Sequence, residues 1–468
     1  MLFNTAQFAI FFAAVLLVYR LLPRNGRNIW LLGTSLLFYF LWIPSYLLLL
    51  MADIGVNYAL MRGIARGARP KLYLAASIVF TLGLLAYFKY AAFALETLGL
   101  FAGPLLGADA PLREVLLPLG ISFYSFQILA LQIDVYRGVF AAPQSLSRYA
   151  LFVCFFPQLV AGPILRGREF LPQLERGGEF DPERTRRGLW LLASGVAKKV
   201  IVGDFLLGPF VDAVFENPGV ADAPVHLLAL YSFAFQIYFD FSGYTDMARG
   251  MACLLGFELP LNFREPYLSR NPAEFWRRWH MTLSRWLRDY LYIPLGGNRH
   301  GPGRTQVNLL LTMLLGGLWH GAAWNFVIWG GLHGVLLVAH RWLSGPRHDE
   351  ERSLGPADAW RILLCFHAVC LLWVFFRADT FADALVFLER LVTGSYRVDW
   401  PLLPALVVLF CALLHVGERS LRPRLPRVRV ALGDGAIGGA VEGVAFGVVA
   451  ALALAASGVG AEFIYFQF

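Results

Sequence analysis

The sequence predicts an all-α polytopic membrane protein, a single domain over residues 1–468, with about ten to twelve membrane-embedded helices, some of them short, re-entrant or interfacial. Three observations carry that expectation. The chain is 58% hydrophobic and only 15% charged, against about 25% charged in a soluble domain, and its mean hydropathy is +0.58. Apolar runs recur along the whole length, at 5–22, 29–61, 72–98, 188–215, 227–256, 306–318, 322–345, 358–377, 402–417 and 436–456, and a span needs roughly 20 such residues. Positive charge, +8 net, gathers between those runs.

The first run, "FNTAQFAIFFAAVLLVYRLLP", has no basic region before it and is followed at once by a second hydrophobic run, so it reads as a retained span and not a cleaved signal. Arg20, Arg24 and Arg27 follow it; Arg62, Arg66, Arg69 and Lys71 come next; Arg419, Arg422, Arg424, Arg427 and Arg429 close the series. The positive-inside rule puts all three clusters in the cytoplasm. The stretch 29–61, broken at Pro44, lies between two of them and returns the chain to the same side as two segments. Topology and contact with lipid headgroups account for most of these charges. The five cysteines form no C-x-x-C pair and lie mostly in apolar runs, which predicts no metal site and no disulfide framework. The longest polar stretches, 166–187, 262–304 and 344–357, are too short for a soluble domain, and no internal repeat is evident. Phosphate-binding loop, H-E-x-x-H and G-x-S-x-G patterns are absent.

The richest polar segment is 262–301, "NFREPYLSRNPAEFWRRWHMTLSRWLRDYLYIPLGGNRHG". From Phe275 to Tyr290 its periodicity is helical. Trp276, Trp279, His280, Leu283, Trp286, Leu287 and Tyr290 share one face, and Arg277, Arg278, Arg285 and Arg288 fall largely on the other. Asn271 or Pro272 is the expected start; Pro294 with Gly296 and Gly297 is the expected stop. Such a helix lies in a membrane interface. Lipid contact explains the Trp and Arg residues but not His280, which is either a satisfied core histidine or a functional one. Arginine outnumbers the acids Glu265, Glu274 and Asp289. That balance suits anionic lipid or an anionic ligand such as coenzyme A equally, with Trp276 available for stacking. Nucleic acid is a poor candidate, because nothing resembles a reading module.

The stretch 314–334, "LLGGLWHGAAWNFVIWGGLHG", places His320 and His333 where water is scarce. Gly316, Gly317, Gly321, Ala322 and Ala323 surround His320 with small residues that let helices or a substrate chain approach the backbone. An ionisable ring at membrane depth is a functional candidate, and imidazole suits hydroxyl-proton abstraction near neutral pH. His333 either positions a second ring or hydrogen-bonds a carbonyl freed beside glycine, the structural reading being the favoured one, and His340 is expected to be interfacial. In "YFDFSGYTDMARG" (238–250), Asp240, Ser242, Tyr244, Thr245 and Asp246 must face a cavity or each other, so Asp240, Tyr244 and Asp246 read as a buried polar network.

Together, "FPQLVAGPI" (156–164), "YFDFSGYTDMARG" (238–250), "NFREPYLSRNPAEFWRRWHMTLSRWLRDYLYIPLGG" (262–297) and "LWHGAAWNFVIWGGLHG" (318–334) resemble the membrane-bound O-acyltransferase family, bacterial alginate O-acetyltransferase type. The most specific motifs lie within 150–340. The resemblance implies a ring of membrane helices around a central funnel in the bacterial inner membrane. It carries the family's signature histidine to His320 and its second polar position to His280, with no bound cofactor. It also implies acetyl-CoA as the expected donor, a periplasmic or membrane-anchored acetyltransferase as partner, and an extracytoplasmic polysaccharide such as alginate as acceptor. Variants of the same chemistry act on peptidoglycan or cellulose, or transfer D-alanyl to teichoic acid. A transporter or flippase of an acylated carrier is the alternative from another class; release of CoA from labelled acetyl-CoA separates the two.

Overall fold

A computed structural model describes residues 3, 5–106, 116–345, 355–396, 400–421 and 436–456. Among them the regular elements are helices, with no strand. Five are long and apolar enough to cross a membrane: Pro44–Arg66, Pro70–Gly99, Trp324–Ser344, Ala359–Arg377 and Leu402–Arg419. Ala6–Leu21 and Glu442–Ala453 are shorter apolar helices. Other apolar runs are cut into pieces. The run 188–215 falls into Pro182–Val196, a π-helical segment Ala197–Leu207 and Gly208–Phe215. The run 29–61 is divided between Arg24–Phe40 and Pro44–Arg66; Pro44 sits in the first turn of the second helix, where its missing N–H costs nothing. The basic residues Arg422, Arg424, Arg427 and Arg429 lie outside the described residues.

The chain packs as two compact units, Met1–Leu192 with Ala248–Pro260, and Ala193–Met247 with Leu261–Phe468. In the first, a polar knot joins three helices. Asp53 and Asn57, one turn apart, share a face of Pro44–Arg66, and Ser77 and Thr81 share a face of Pro70–Leu85. Asn57 Nδ2 donates to Asp53 Oδ1 (2.7 Å) and to Thr81 Oγ1 (3.1 Å). Its Oδ1 accepts from Ser77 Oγ (2.6 Å), and Gln132 of helix Ile121–Tyr136 donates to its backbone oxygen at 2.7 Å. All five residues are buried.

The block 156–164 is packing within this unit. Phe156 meets Phe8, Phe11, Phe12 and Phe38, and Gln158 and Gln127 exchange amide hydrogen bonds. In the polar connections, Arg20 and Arg27 lie over the Phe180 ring, while Arg184 and Arg187 hold Glu258 at 3.4 and 2.6 Å.

In the second unit, Gly301–His320 and Trp324–Ser344 form a helical hairpin. Its two helices touch through backbone: a Cβ on Gly317 would meet the Phe326 carbonyl and lie 3.0 Å from Gly330 Cα. Only glycine at both positions permits that approach. The same device brings the π-helical segment onto the long helix Ala223–Leu254. A Cβ on Gly243 would lie 2.8 Å from Lys199 N.

Candidate active site

His320 ends its helix: Gly321 is extended, and the next helix begins at Trp324. Helix geometry is therefore interrupted directly after His320, among the small residues Gly321, Ala322 and Ala323. Its ring is buried at 3% exposure, with centroids 5.0 Å from Trp319, 5.1 Å from Trp329, 5.5 Å from Phe376 and 6.3 Å from His280.

His280 occupies a break that the periodicity of 275–290 does not reveal. The expected continuous helix is two short ones, Pro272–Arg278 and Met281–Leu287, followed by a π-turn at Arg288–Tyr292. The start is at the expected place: Asn271 caps it by accepting from Glu274 N–H, with Pro272 in the first turn. Between the helices His280 adopts φ 41°, a left-handed conformation uncommon outside glycine. Asn262 supports it. Its carbonyl accepts from Met281 N–H (2.9 Å), and its Oδ1 accepts from Thr282 N–H (3.1 Å) and Thr282 Oγ1 (2.9 Å). The His280 Nδ1 lies 3.2 Å from that same Oδ1. A non-glycine residue held in such a conformation by its surroundings is a feature of functional sites. His280 is fully buried, against Phe241 at 4.7 Å, and burial pushes its pKa down to about 3.

The broken helix also builds a pocket of about 490 Å³. All five residues expected to bind a donor, Trp276, Arg277, Arg278, Arg285 and Arg288, line it, together with Arg270 and Glu274. The arginines are not equivalent. Glu274 holds Arg270 at 2.8 Å and Arg278 at 2.9 Å, all three nearly buried. Burial alone would raise the Glu274 pKa, but the hydrogen bonds and charge of those arginines outweigh it and hold the carboxyl below its usual range. Arg288 pairs with Asp289 at 2.7 Å. Arg277 has no carboxylate partner among the described residues. The pocket therefore carries positive charge without a carboxylate partner among the described residues at Arg277, whereas Arg278 is compensated by Glu274.

The network expected at 238–250 rests on cations that the sequence reading missed. Lys199 Nζ lies 2.5 Å from Asp240 and 2.7 Å from Asp204. Lys198 Nζ lies 3.0 Å from Asp246 and 3.1 Å from Glu418, which also accepts from Tyr238 OH at 2.9 Å. Tyr244 is buried on the same helix. The available signal was two of the chain's four lysines standing together inside an apolar run. His333 departs from expectation too. It is fully buried, and neither ring nitrogen has a hydrogen-bond partner among the described residues. His340 is part-buried, 3.3 Å from Ser344 Oγ. Among the described residues no group of three or more His, Cys, Asp or Glu could hold a metal ion.

Residues 112–345 match the family model for the membrane-bound O-acyltransferase family. The chain is 41% identical over 387 residues to the "Probable alginate O-acetylase" of Azotobacter vinelandii, covering 81% of this chain and 75% of that one. It is 37% identical over 454 residues to the protein of the same description in Pseudomonas aeruginosa, covering 91% and 84%. It is 36% identical over 427 residues to the peptidoglycan O-acetyltransferase of Helicobacter pylori, covering 84% and 80%. With a family match over half of its length and relatives aligned over most of theirs, this chain belongs to the membrane-bound O-acyltransferase family and is an acyltransferase.

Proposed function

We propose that this acyltransferase takes an acetyl group from cytoplasmic acetyl-CoA and passes it across the bacterial inner membrane for O-acetylation of an extracytoplasmic polysaccharide such as alginate. The observation that carries the reading is a juxtaposition within one unit: two buried histidines, 6.3 Å apart, and an arginine-lined pocket built from the segment that holds one of them. Arg277 and Arg285 meet the phosphates of the donor, and Trp276 stacks on its adenine. His320, as general base, takes the proton of the acceptor hydroxyl while that oxygen attacks the thioester carbonyl. The C–S bond breaks, and the proton passes to the departing thiolate, giving free CoA and the acetyl ester. His280, buried and neutral, orients or shares protons with it.

The embedded segments, about ten to twelve of them, surround a funnel with this pair at its waist. A periplasmic or membrane-anchored acetyltransferase completes delivery to the polymer. The alginate O-acetylases among the relatives support that acceptor; the Helicobacter pylori relative supports peptidoglycan as the second reading.

His320→Ala tests the assignment. The variant reaches the membrane in near-normal amount but loses polymer O-acetylation, by about 10²–10⁴-fold in CoA release from labelled acetyl-CoA. Full acetylation by that variant would remove His320 from the chemistry and favour a transporter of an acylated carrier.

A further inference from the structure

His333 sits in a cage of rings in the second unit. Trp329 is 4.8 Å away, Trp276 5.0 Å, Phe275 6.0 Å and parallel, and Trp373 6.4 Å. Trp279 extends the cage, 5.0 Å from Trp373. Trp276, Trp279, Trp329, Trp373 and His333 are each at most 9% exposed. In every one of them the buried ring nitrogens lack a hydrogen-bond partner among the described residues: four indole N–H groups and both nitrogens of His333. One under-satisfied indole is ordinary in a protein interior. Six such nitrogens in one cluster need an explanation, because each gives up hydration for nothing.

The position of the cage supplies one. Trp276 lines the arginine pocket and touches His333. Trp329 touches both His333 and His320. The cage thus runs, ring by ring, from the basic pocket to His320. An apolar acyl chain would leave all six nitrogens unmatched. A thioester arm with amide groups brings carbonyl oxygens for the indole N–H groups. Its amides also carry an acceptor and a donor together, the complement of a neutral imidazole.

We propose that His333 is a substrate-positioning residue, which hydrogen-bonds the amide and carbonyl groups of the donor's thioester arm between the arginine pocket and His320. The proposal rests on the reading of that pocket as the donor's binding site. It assigns function to a histidine for which the sequence suggested a structural hydrogen bond.

The test compares His333→Gln with His333→Met in the full-length chain, since the two side chains match in length and differ in hydrogen bonding. Each is purified in detergent, and CoA release is measured against acetyl-CoA concentration, with the thermal midpoint as a control. His333→Met keeps or raises the midpoint, because it removes two unmatched nitrogens, and loses about 10-fold or more in kcat/KM for acetyl-CoA. His333→Gln regains most of that loss. Equal activity in the two variants overturns the proposal and leaves the cage as packing. Should one variant fold poorly, kcat/KM per folded molecule, from the monodisperse fraction, carries the same comparison. Failure of the wild-type protein to release CoA would defeat the donor reading itself, and the His333 proposal with it; wild-type turnover with indistinguishable Gln and Met variants defeats the His333 proposal alone.

Discussion

Asn262 decides which nitrogen of His280 carries the proton. Its Oδ1 accepts from the Thr282 backbone N–H, which can only donate, so that atom is the oxygen. The Nδ1 of His280 must then be the protonated nitrogen, and Nε2 carries the lone pair of the neutral ring. Burial holds this ring neutral with a pKa of about 3, while an unfolded histidine titrates near 6.5. As pH falls below 6.5 the unfolded chain takes up the proton first, so stability declines through the window from 6.5 to 3 and is unaffected by this group above it. At pH 5 the loss is about 2 kcal/mol. The thermal midpoint of the wild-type protein is expected to drop between pH 7 and pH 5, and the drop to shrink in His280→Gln. An unchanged pH slope in that variant would mean that His280 does not stay neutral on acidification. The sequence offered His280 and His320 at this scale, because rings among tryptophan and glycine in apolar surroundings are conspicuous. It did not offer Asn262, whose role exists only once 262 and 280 are adjacent.

At the scale of elements, the instructive case is the segment 275–290. Its periodicity is helical on both sides of His280, and a pattern of apolar spacing cannot register one left-handed residue held by a distant side chain. The break turns the segment into a pocket wall. Charge reversal at Arg277 or Arg285 should raise the KM for acetyl-CoA by about 10-fold or more, with a smaller change in kcat. Loss of kcat alone, with KM constant, would place these arginines against lipid. The π-helical segment Ala197–Leu207 was hidden for a similar reason: it reads as a plain apolar run until Gly195 and Gly243 bring it onto the long helix. Lys199 then sits between two buried carboxylates. Lys199→Met leaves Asp204 and Asp240 uncompensated and should cost about 3–5 kcal/mol. Neutralising both acids in addition, with Asp204→Asn and Asp240→Asn, should recover much of that in chemical denaturation, and failure to do so would argue that the triad is not the source of the loss.

Across the whole molecule, hydropathy disclosed a membrane protein and its helical class, because a bilayer demands internally satisfied backbone and long apolar segments. Where each helix begins and ends was legible at Pro44, which divides 29–61 as expected, and less so in 188–215, which is cut by a π-helical segment under close backbone packing. The polar knot around Asn57 shows another limit: Asp53, Asn57, Ser77 and Thr81 are scattered through two apolar runs and look incidental until the helices pair. That knot has a consequence for how the chain is made. Pro44–Arg66 is one of the apolar spans, yet Asp53 lies near its midpoint. On leaving the ribosome alone, that helix meets an insertion penalty of about 2.5–3.5 kcal/mol for the aspartate. Its hydrogen-bond partner, Asn57, is one turn on in the same helix, and Asn57 is in turn held by Ser77 and Thr81 of the next helix, Pro70–Gly99, so the knot is complete only when both helices are present. The two should therefore partition into the bilayer as a pair, the first waiting in the translocon for the second. A nascent chain truncated after residue 69 should insert its last helix inefficiently in a glycosylation-mapping assay, and extension past residue 99 should restore it. Asp53→Leu should make the shorter chain insert unaided; equal insertion of both truncated chains would show that biogenesis does not depend on the pairing.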